Sequence, residues 1–183
     1  MLFRSVRRPI AELAAKGQVI EIAEKIGNFE RLAGIVEADL ATLDPDKIPH
    51  DWRDSMVTGW LEFGFADAQK QVVSLVGELA VTLDAVCQRC LEPFRLSLAT
   101  GLRLLPTTVE QGVSAGNDFE PWELEDERVC PAEIVEEVLI MAMPLSAMHE
   151  NSAACKGYEP ADEEAQQTTR PFAALKAQLD QDK

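Results

Sequence analysis

The sequence predicts an α+β protein, in which an antiparallel β-meander sheet is packed with helices and a flexible C-terminal tail follows. Period-two hydrophobic alternation in three successive segments between residues 57 and 104 predicts the meander. A helical apolar stripe over residues 131–142 predicts the main helix. The chain has 183 residues, of which 46% are hydrophobic. We expect one domain over residues 1–155, then a flexible acidic linker and a short C-terminal helix over 156–183.

The N-terminal elements are short. Residues 9–16 predict a helix that Gly17 closes, and residues 18–23 predict a strand. Asn28 is of the type that caps helices, and we expect a helix from there through Glu37.

The strands of the meander are defined by the phase of their apolar residues. These occupy odd positions over 57–65 and 73–85, and even positions over 94–104. The polar stretch 67–70 joins the first two strands, and a CxxC sequence at 87–90 joins the last two. This pattern buries one face of the sheet. We expect the three tryptophans to lie in the core or at sheet edges: Trp52, Trp60 and Trp122.

Proline residues delimit the main helix, since Pro131 suits its first turn and Pro144 ends it. Its acidic residues, Glu133, Glu136 and Glu137, are expected to form a solvated face. A short helix after Pro171 completes the tail, and we expect it to dock on the protein's own sheet or on a partner.

The formal net charge of −15 restricts the binding partners. Such a chain repels a phosphate backbone unless its cations are clustered, and it attracts basic proteins. Arg4, Arg7 and Arg8 form the one basic cluster near the start. We consider them, with the tail residues Phe172 and Leu175, as candidate partner-binding residues, although the arginines are also explained as ordinary surface residues.

The sequence also bears on location. No apolar run reaches the roughly 18 residues that a membrane span requires. The first residues lack the apolar segment of a signal peptide, so we expect a cytoplasmic protein.

The four cysteines suggest metal or redox chemistry. Cys87 and Cys90 in a tight turn can direct two thiolates at one ion, and His149 with Cys155 would complete a Cys3His set, for which zinc is the candidate metal. Two alternatives stay open, namely reduced thiols without a ligand and a thiol-disulfide enzyme. The enzyme is disfavoured because the residues after Cys90 alternate like a strand, which removes the helix N-terminus that activates such thiols.

Several motifs in a fixed order resemble the YceD family of large ribosomal RNA subunit accumulation proteins. They are VCQRCLEPF at 86–94, PAEIVEEVLIMAM at 131–143, PLSAMH at 144–149, Cys155, and PFAAL at 171–175. The resemblance implies a noncatalytic ribosome-biogenesis factor that supports synthesis, processing or stability of large-subunit (23S) ribosomal RNA. It also implies a large-subunit precursor as partner, contacted through its RNA or a basic ribosomal protein.

This sequence departs from the family pattern at one point. Some relatives carry a second cysteine cluster of the form CKGLC, whereas here CKGYE follows, with Tyr158 and Glu159 at the end of the motif. A fully thiolate metal site is therefore not expected, and the predicted set depends on His149.

Overall fold

The computed structural model describes residues 6–107, 118–124, 126–151 and 154–155. The α+β class predicted from the sequence is confirmed. The elements in chain order are β1 (Arg8–Pro9), α1 (Ile10–Ala15), β2 (Val19–Lys25), α2 (Glu30–Leu40), β3 (Met56–Phe65), β4 (Val73–Val86), β5 (Pro93–Thr107), β6 (Glu120–Glu123), β7 (Arg128–Val129) and α3 (Pro131–Ala142).

A five-stranded mixed sheet in the order β2-β3-β4-β5-β6 forms the centre of the fold. Strands β3 to β5 are antiparallel neighbours, as the meander prediction required. Strand β2 pairs antiparallel with β3, and β6 adds in parallel to the end of β5. A second ladder pairs the two-residue strands β1 and β7. Neither β6 nor β7 is long enough to show a period-two pattern, and the sequence did not predict them.

The inner face of the sheet packs against all three helices. Odd positions of β3 and β4 and even positions of β5 point inward, as the paired residues Leu83 and Leu96 show. These side chains join one continuous cluster with residues such as Leu13 of α1, Leu32 of α2 and Leu139 of α3. Each fully buried leucine stabilises the fold by about 2 kcal/mol. The opposite, outer face of the sheet carries the other set of positions.

The start of α2 differs from the prediction. The helix begins at Glu30 and not at an Asn28 cap, and its first turn has no local side-chain acceptor. Instead, Glu136 of α3 accepts hydrogen bonds from the backbone N–H groups of Arg31 (2.6 Å) and Leu32 (3.0 Å). The prediction that Glu136 is solvated was wrong, because it is only 8% exposed. The free N–H groups of a helix start attract a carboxylate into this interior position.

Some predictions concern residues outside the described ranges. Arg4 and the tail helix with Phe172 and Leu175 lie there. The domain boundary at residue 155 therefore stays a prediction. Among the described residues, no helix has the length and apolar character that crossing a membrane requires.

Candidate metal centre

The CxxC sequence forms a tight bend between β4 and β5. The Cys87 N–H donates to the carbonyl of Glu92 (3.0 Å), and the Leu91 N–H donates to the carbonyl of Cys87 (2.8 Å). Leu91 closes the bend in the left-handed region, with φ of 57°. Strand β5 starts at Pro93, so the bend leads into a strand and not into a helix. The thiols therefore do not lie at a helix N-terminus.

The segment after α3 brings the second half of the centre to this bend. The Gln88 N–H donates to the carbonyl of Ala147 (2.8 Å), which joins the two segments through their backbones. The ring of His149 packs on the ring of Phe94 at the start of β5, with 4.8 Å between their centroids. Cys155 follows and is buried.

The four residues that the sequence predicted as ligands meet at one point. Their ligand atoms all lie within 4.8 Å of one another. The Sγ atoms of Cys87 and Cys155 are 3.9 Å apart. The His149 Nδ1 lies 3.6 Å from the Sγ of Cys90 and 3.4 Å from that of Cys155.

Three of the six distances between the ligand atoms fit the edges of a coordination tetrahedron. With zinc–sulfur bonds of about 2.3 Å and zinc–nitrogen bonds of about 2.0 Å, tetrahedral geometry requires about 3.8 Å between two sulfurs and about 3.5 Å between sulfur and nitrogen. The observed values of 3.9, 3.6 and 3.4 Å agree within a few tenths of an ångström. The other three pairs of ligand atoms lie within 4.8 Å, so small side-chain movements would close the Cys3His cluster around a metal ion.

The protonation of the thiols also favours a cation. Burial raises the pKa of Cys87, but hydrogen bonds from the backbone N–H groups of Cys90, His149 and Arg89, and from the His149 ring, lower this pKa to about 5. The pKa of Cys155 is raised by burial and by the neighbouring Cys90 and Cys87 sulfurs. Without a metal, the lowered pKa of Cys87 favours its thiolate, whereas the raised pKa of Cys155 favours its neutral thiol. A bound cation would favour the thiolate at both positions.

Arg89 supplies a positive charge beside the cluster, although the sequence had not singled it out. Its guanidinium lies 3.9 Å from the Sγ of Cys155 and 3.8 Å from the Sδ of Met148. Three thiolates around a divalent ion leave one net negative charge, which this arginine is placed to offset. Because Arg89 lies between Cys87 and Cys90 in the sequence, a positive charge close to the thiols could have been predicted.

Asp39 of α2 holds the end of the strand that leads into the bend. Its Oδ2 accepts a hydrogen bond from the Val86 N–H at 2.8 Å, next to Cys87. Lys47 and Glu92 add an ion pair at 2.7 Å on the far side of the bend. These contacts join residues more than forty positions apart in the chain, so no local motif could have revealed them.

The described arginines of the N-terminal cluster are engaged within the protein. Arg7 pairs with Glu133 of α3 at 2.9 Å, and Arg8 pairs with Glu12 at 3.2 Å. The structure therefore places them against acidic side chains of this chain. Their role in partner binding stays a prediction, as does that of Arg4.

The fold and the site define an α+β protein in which a bend of the central meander and the segment after α3 form a Cys3His cluster that could hold a metal. Residues 75–179 match the family described as large ribosomal RNA subunit accumulation protein YceD. A protein of that name from Haemophilus influenzae is 33% identical over 129 residues, which cover 67% of this chain and 72% of that protein. The chain belongs to the YceD family. No solved structure matches it.

Proposed function

We propose that this protein is a noncatalytic ribosome-biogenesis factor that acts in the cytoplasm. It supports the synthesis, processing or stability of large-subunit (23S) ribosomal RNA. The observation that carries this proposal is the family match over residues 75–179, which includes all four residues of the Cys3His cluster. The Haemophilus influenzae relative is named for accumulation of the same RNA.

The partner that we propose is a precursor of the large ribosomal subunit, engaged through a basic ribosomal protein in preference to bare RNA. The net charge of −15 supports this choice, because long-range repulsion opposes a phosphate backbone and long-range attraction favours a basic protein.

The test of this function compares a strain that lacks the gene with its parent. We expect large-subunit rRNA to fall relative to small-subunit rRNA, and we expect the protein to co-sediment with large-subunit precursors. Capture that persists after nuclease treatment supports the protein partner. Capture that vanishes with nuclease identifies RNA as the partner, and an unchanged rRNA ratio would refute the function itself.

For the Cys3His cluster we propose a structural zinc ion, ligated by Cys87, Cys90, His149 and Cys155. Such a site closes the knuckle and contributes folding energy of the order of 10 kcal/mol. Elemental analysis of protein purified without a metal-binding tag is expected to give one zinc per chain. The variant Cys155→Ser should lose this metal, whereas Cys130→Ser, at the start of α3, should retain it.

One observation favours the alternative of a thiol-disulfide enzyme, namely the low pKa of Cys87. The Cys87 side chain is, however, fully buried, which denies a disulfide substrate access to its sulfur. An insulin-reduction assay decides between the two: we expect no activity above background. A rate near that of thioredoxin, lost in Cys87→Ser, would establish the enzyme.

A further inference from the structure

The outer face of the meander carries a concave patch with one aromatic residue. Trp60 breaks the alternation of β3, because it is apolar at a position that points away from the core. It is directly paired with Glu21 of β2 on one side and with Glu78 of β4 on the other. Directly paired residues on one face have Cβ atoms about 5 Å apart, so carboxylates flank the indole on both sides.

Small side chains form a depression next to this tryptophan. The cavity has a volume of about 390 Å³, with Trp60 and Glu78 among the residues that line it. Ala80 and Ala99, which are paired across β4 and β5, lie on the outer face there, and Gly101 is paired with Glu78. Both alanines are exposed. The depression is open to solvent and has room for the end of one side chain beside the indole and the carboxylate.

The carboxylates of the patch favour a cationic side chain, while Arg103 of β5, which lines an adjoining cavity with Trp60 and Glu78, stacks on Phe119. Glu62 lies on the same face of β3, two positions from Trp60, and both it and Glu78 are exposed. Neither forms an ion pair with another residue that the structure describes. An indole face attracts a guanidinium or ammonium group, and neighbouring carboxylates strengthen that attraction.

We propose that this face, defined by Trp60, Glu62, Glu78, Ala80 and Ala99 and called here the Trp60 face, binds an arginine-rich segment of a basic protein. One arginine enters the depression, stacks on Trp60 and pairs with Glu78, while Glu62 binds a following cation. The inference rests on the proposed function, because it gives the basic partner its docking surface. Arginine fits better than lysine, since its planar group stacks and pairs at the same time.

The test uses the full-length protein and a labelled peptide of alternating arginine and glycine, with a citrulline peptide of the same length as the uncharged control. We expect the arginine peptide alone to bind, with an affinity that falls as salt rises. Trp60→Leu should weaken binding about tenfold, whereas Trp60→Phe should retain much of it. Ala99→Leu, which fills the depression, should weaken binding without altering a charge.

A matched pair of double variants separates local from overall charge. Glu62→Gln with Glu78→Gln should weaken peptide binding strongly. Glu30→Gln with Glu127→Gln, at exposed positions outside the patch, makes the same change in net charge and should have little effect. Equal effects of the two double variants would overturn the proposal, as would wild-type affinity in both Trp60→Leu and Ala99→Leu. Thermal unfolding of each variant confirms that it is folded.

Two other occupants of the Trp60 face would change the measured binding in a different direction. If Trp60 stacked on RNA bases, Glu62→Gln with Glu78→Gln would strengthen binding of a single-stranded oligonucleotide, and that result would overturn the proposal. If the protein's own tail covered the face, Phe172→Ala with Leu175→Ala would greatly strengthen peptide binding, which would also overturn it. Complementation distinguishes failure of the proposed function from failure of the proposed surface. The gene deletion tests the function, and expression of Trp60→Leu in the deletion strain tests the Trp60 face.

Discussion

Replacing Glu136 tests how α2 and α3 are joined. Its carboxylate is buried and accepts hydrogen bonds from two backbone N–H groups at the start of α2, at 2.6 and 3.0 Å. Glu136→Ala removes both bonds and leaves two donors without this acceptor. Each hydrogen bond to a charged group contributes about 1.5–3 kcal/mol, and loss of a helix cap costs about 0.5–2 kcal/mol.

Since the two bonds share one carboxylate, we expect Glu136→Ala to lower the free energy of unfolding by about 2–4 kcal/mol. Glu136→Gln keeps an acceptor oxygen without the charge, so it should cost about half as much. Urea denaturation of the metal-loaded protein measures both values, and thermal unfolding should show a decrease of roughly 5–12 °C for the alanine variant.

The matched control is Glu133→Ala on the same helix. Glu133 is 56% exposed and pairs with an equally exposed Arg7, so its loss should cost no more than about 1 kcal/mol. If Glu136→Ala is no more destabilising than Glu133→Ala, then the two backbone bonds do not stabilise the start of α2, and our account of this contact is wrong.

Further predictions concern the bend and its thiols. In metal-free protein that circular dichroism shows to be folded, the ultraviolet absorbance of one thiolate should disappear as pH falls through about 5, and Cys87→Ser should lack this transition. Because folding lowers the pKa of Cys87 from 9.0 to about 5, its stabilising contribution is complete above about pH 9 and is lost as the pH falls to about 5, which chemical denaturation at several pH values measures. Asp39→Ala should speed zinc transfer to a chelator, because the Val86 N–H next to Cys87 loses its acceptor. Asp39→Asn keeps an acceptor and should resemble wild type. Equal transfer rates in all three proteins would contradict a role of Asp39 in positioning Cys87. Leu91→Gly should stabilise the protein by less than about 1 kcal/mol, because glycine relieves the positive φ but loses more chain entropy, and a marked destabilisation in thermal unfolding would show that the exposed leucine is needed there.

Sequence periodicity predicted the meander because its strands are long and one face is buried. Strands β4 and β5 span 14 and 15 residues, and their inward positions keep one phase along most of that length. The same reasoning missed β6 and β7, because strands of four and two residues give no period. Helix α3 matched its predicted bounds of 131–142 since prolines delimit it on both sides.

The ligand cluster could be assembled from residue types, whereas its supports could not. Cysteine and histidine are few in this chain, so Cys87, Cys90, His149 and Cys155 were the natural set. Asp39 and Glu136 are ordinary acidic residues on helices, where exposure is the usual outcome. Their roles come from backbone N–H groups on other elements, which become neighbours only when the chain folds.

The Cys3His cluster joins distant parts of the chain, so its ligands are synthesised at different times. Cys87 and Cys155 are 68 residues apart, and Cys90 and His149 are 59 apart. A nascent chain therefore exposes the first cysteine pair long before the other two ligands leave the ribosomal exit tunnel. Closing such a long loop is entropically costly, so the two halves meet only as the chain folds, and an ion that bridges them would then stabilise the folded state. Translation speed and metal supply would then act together on the yield of folded protein.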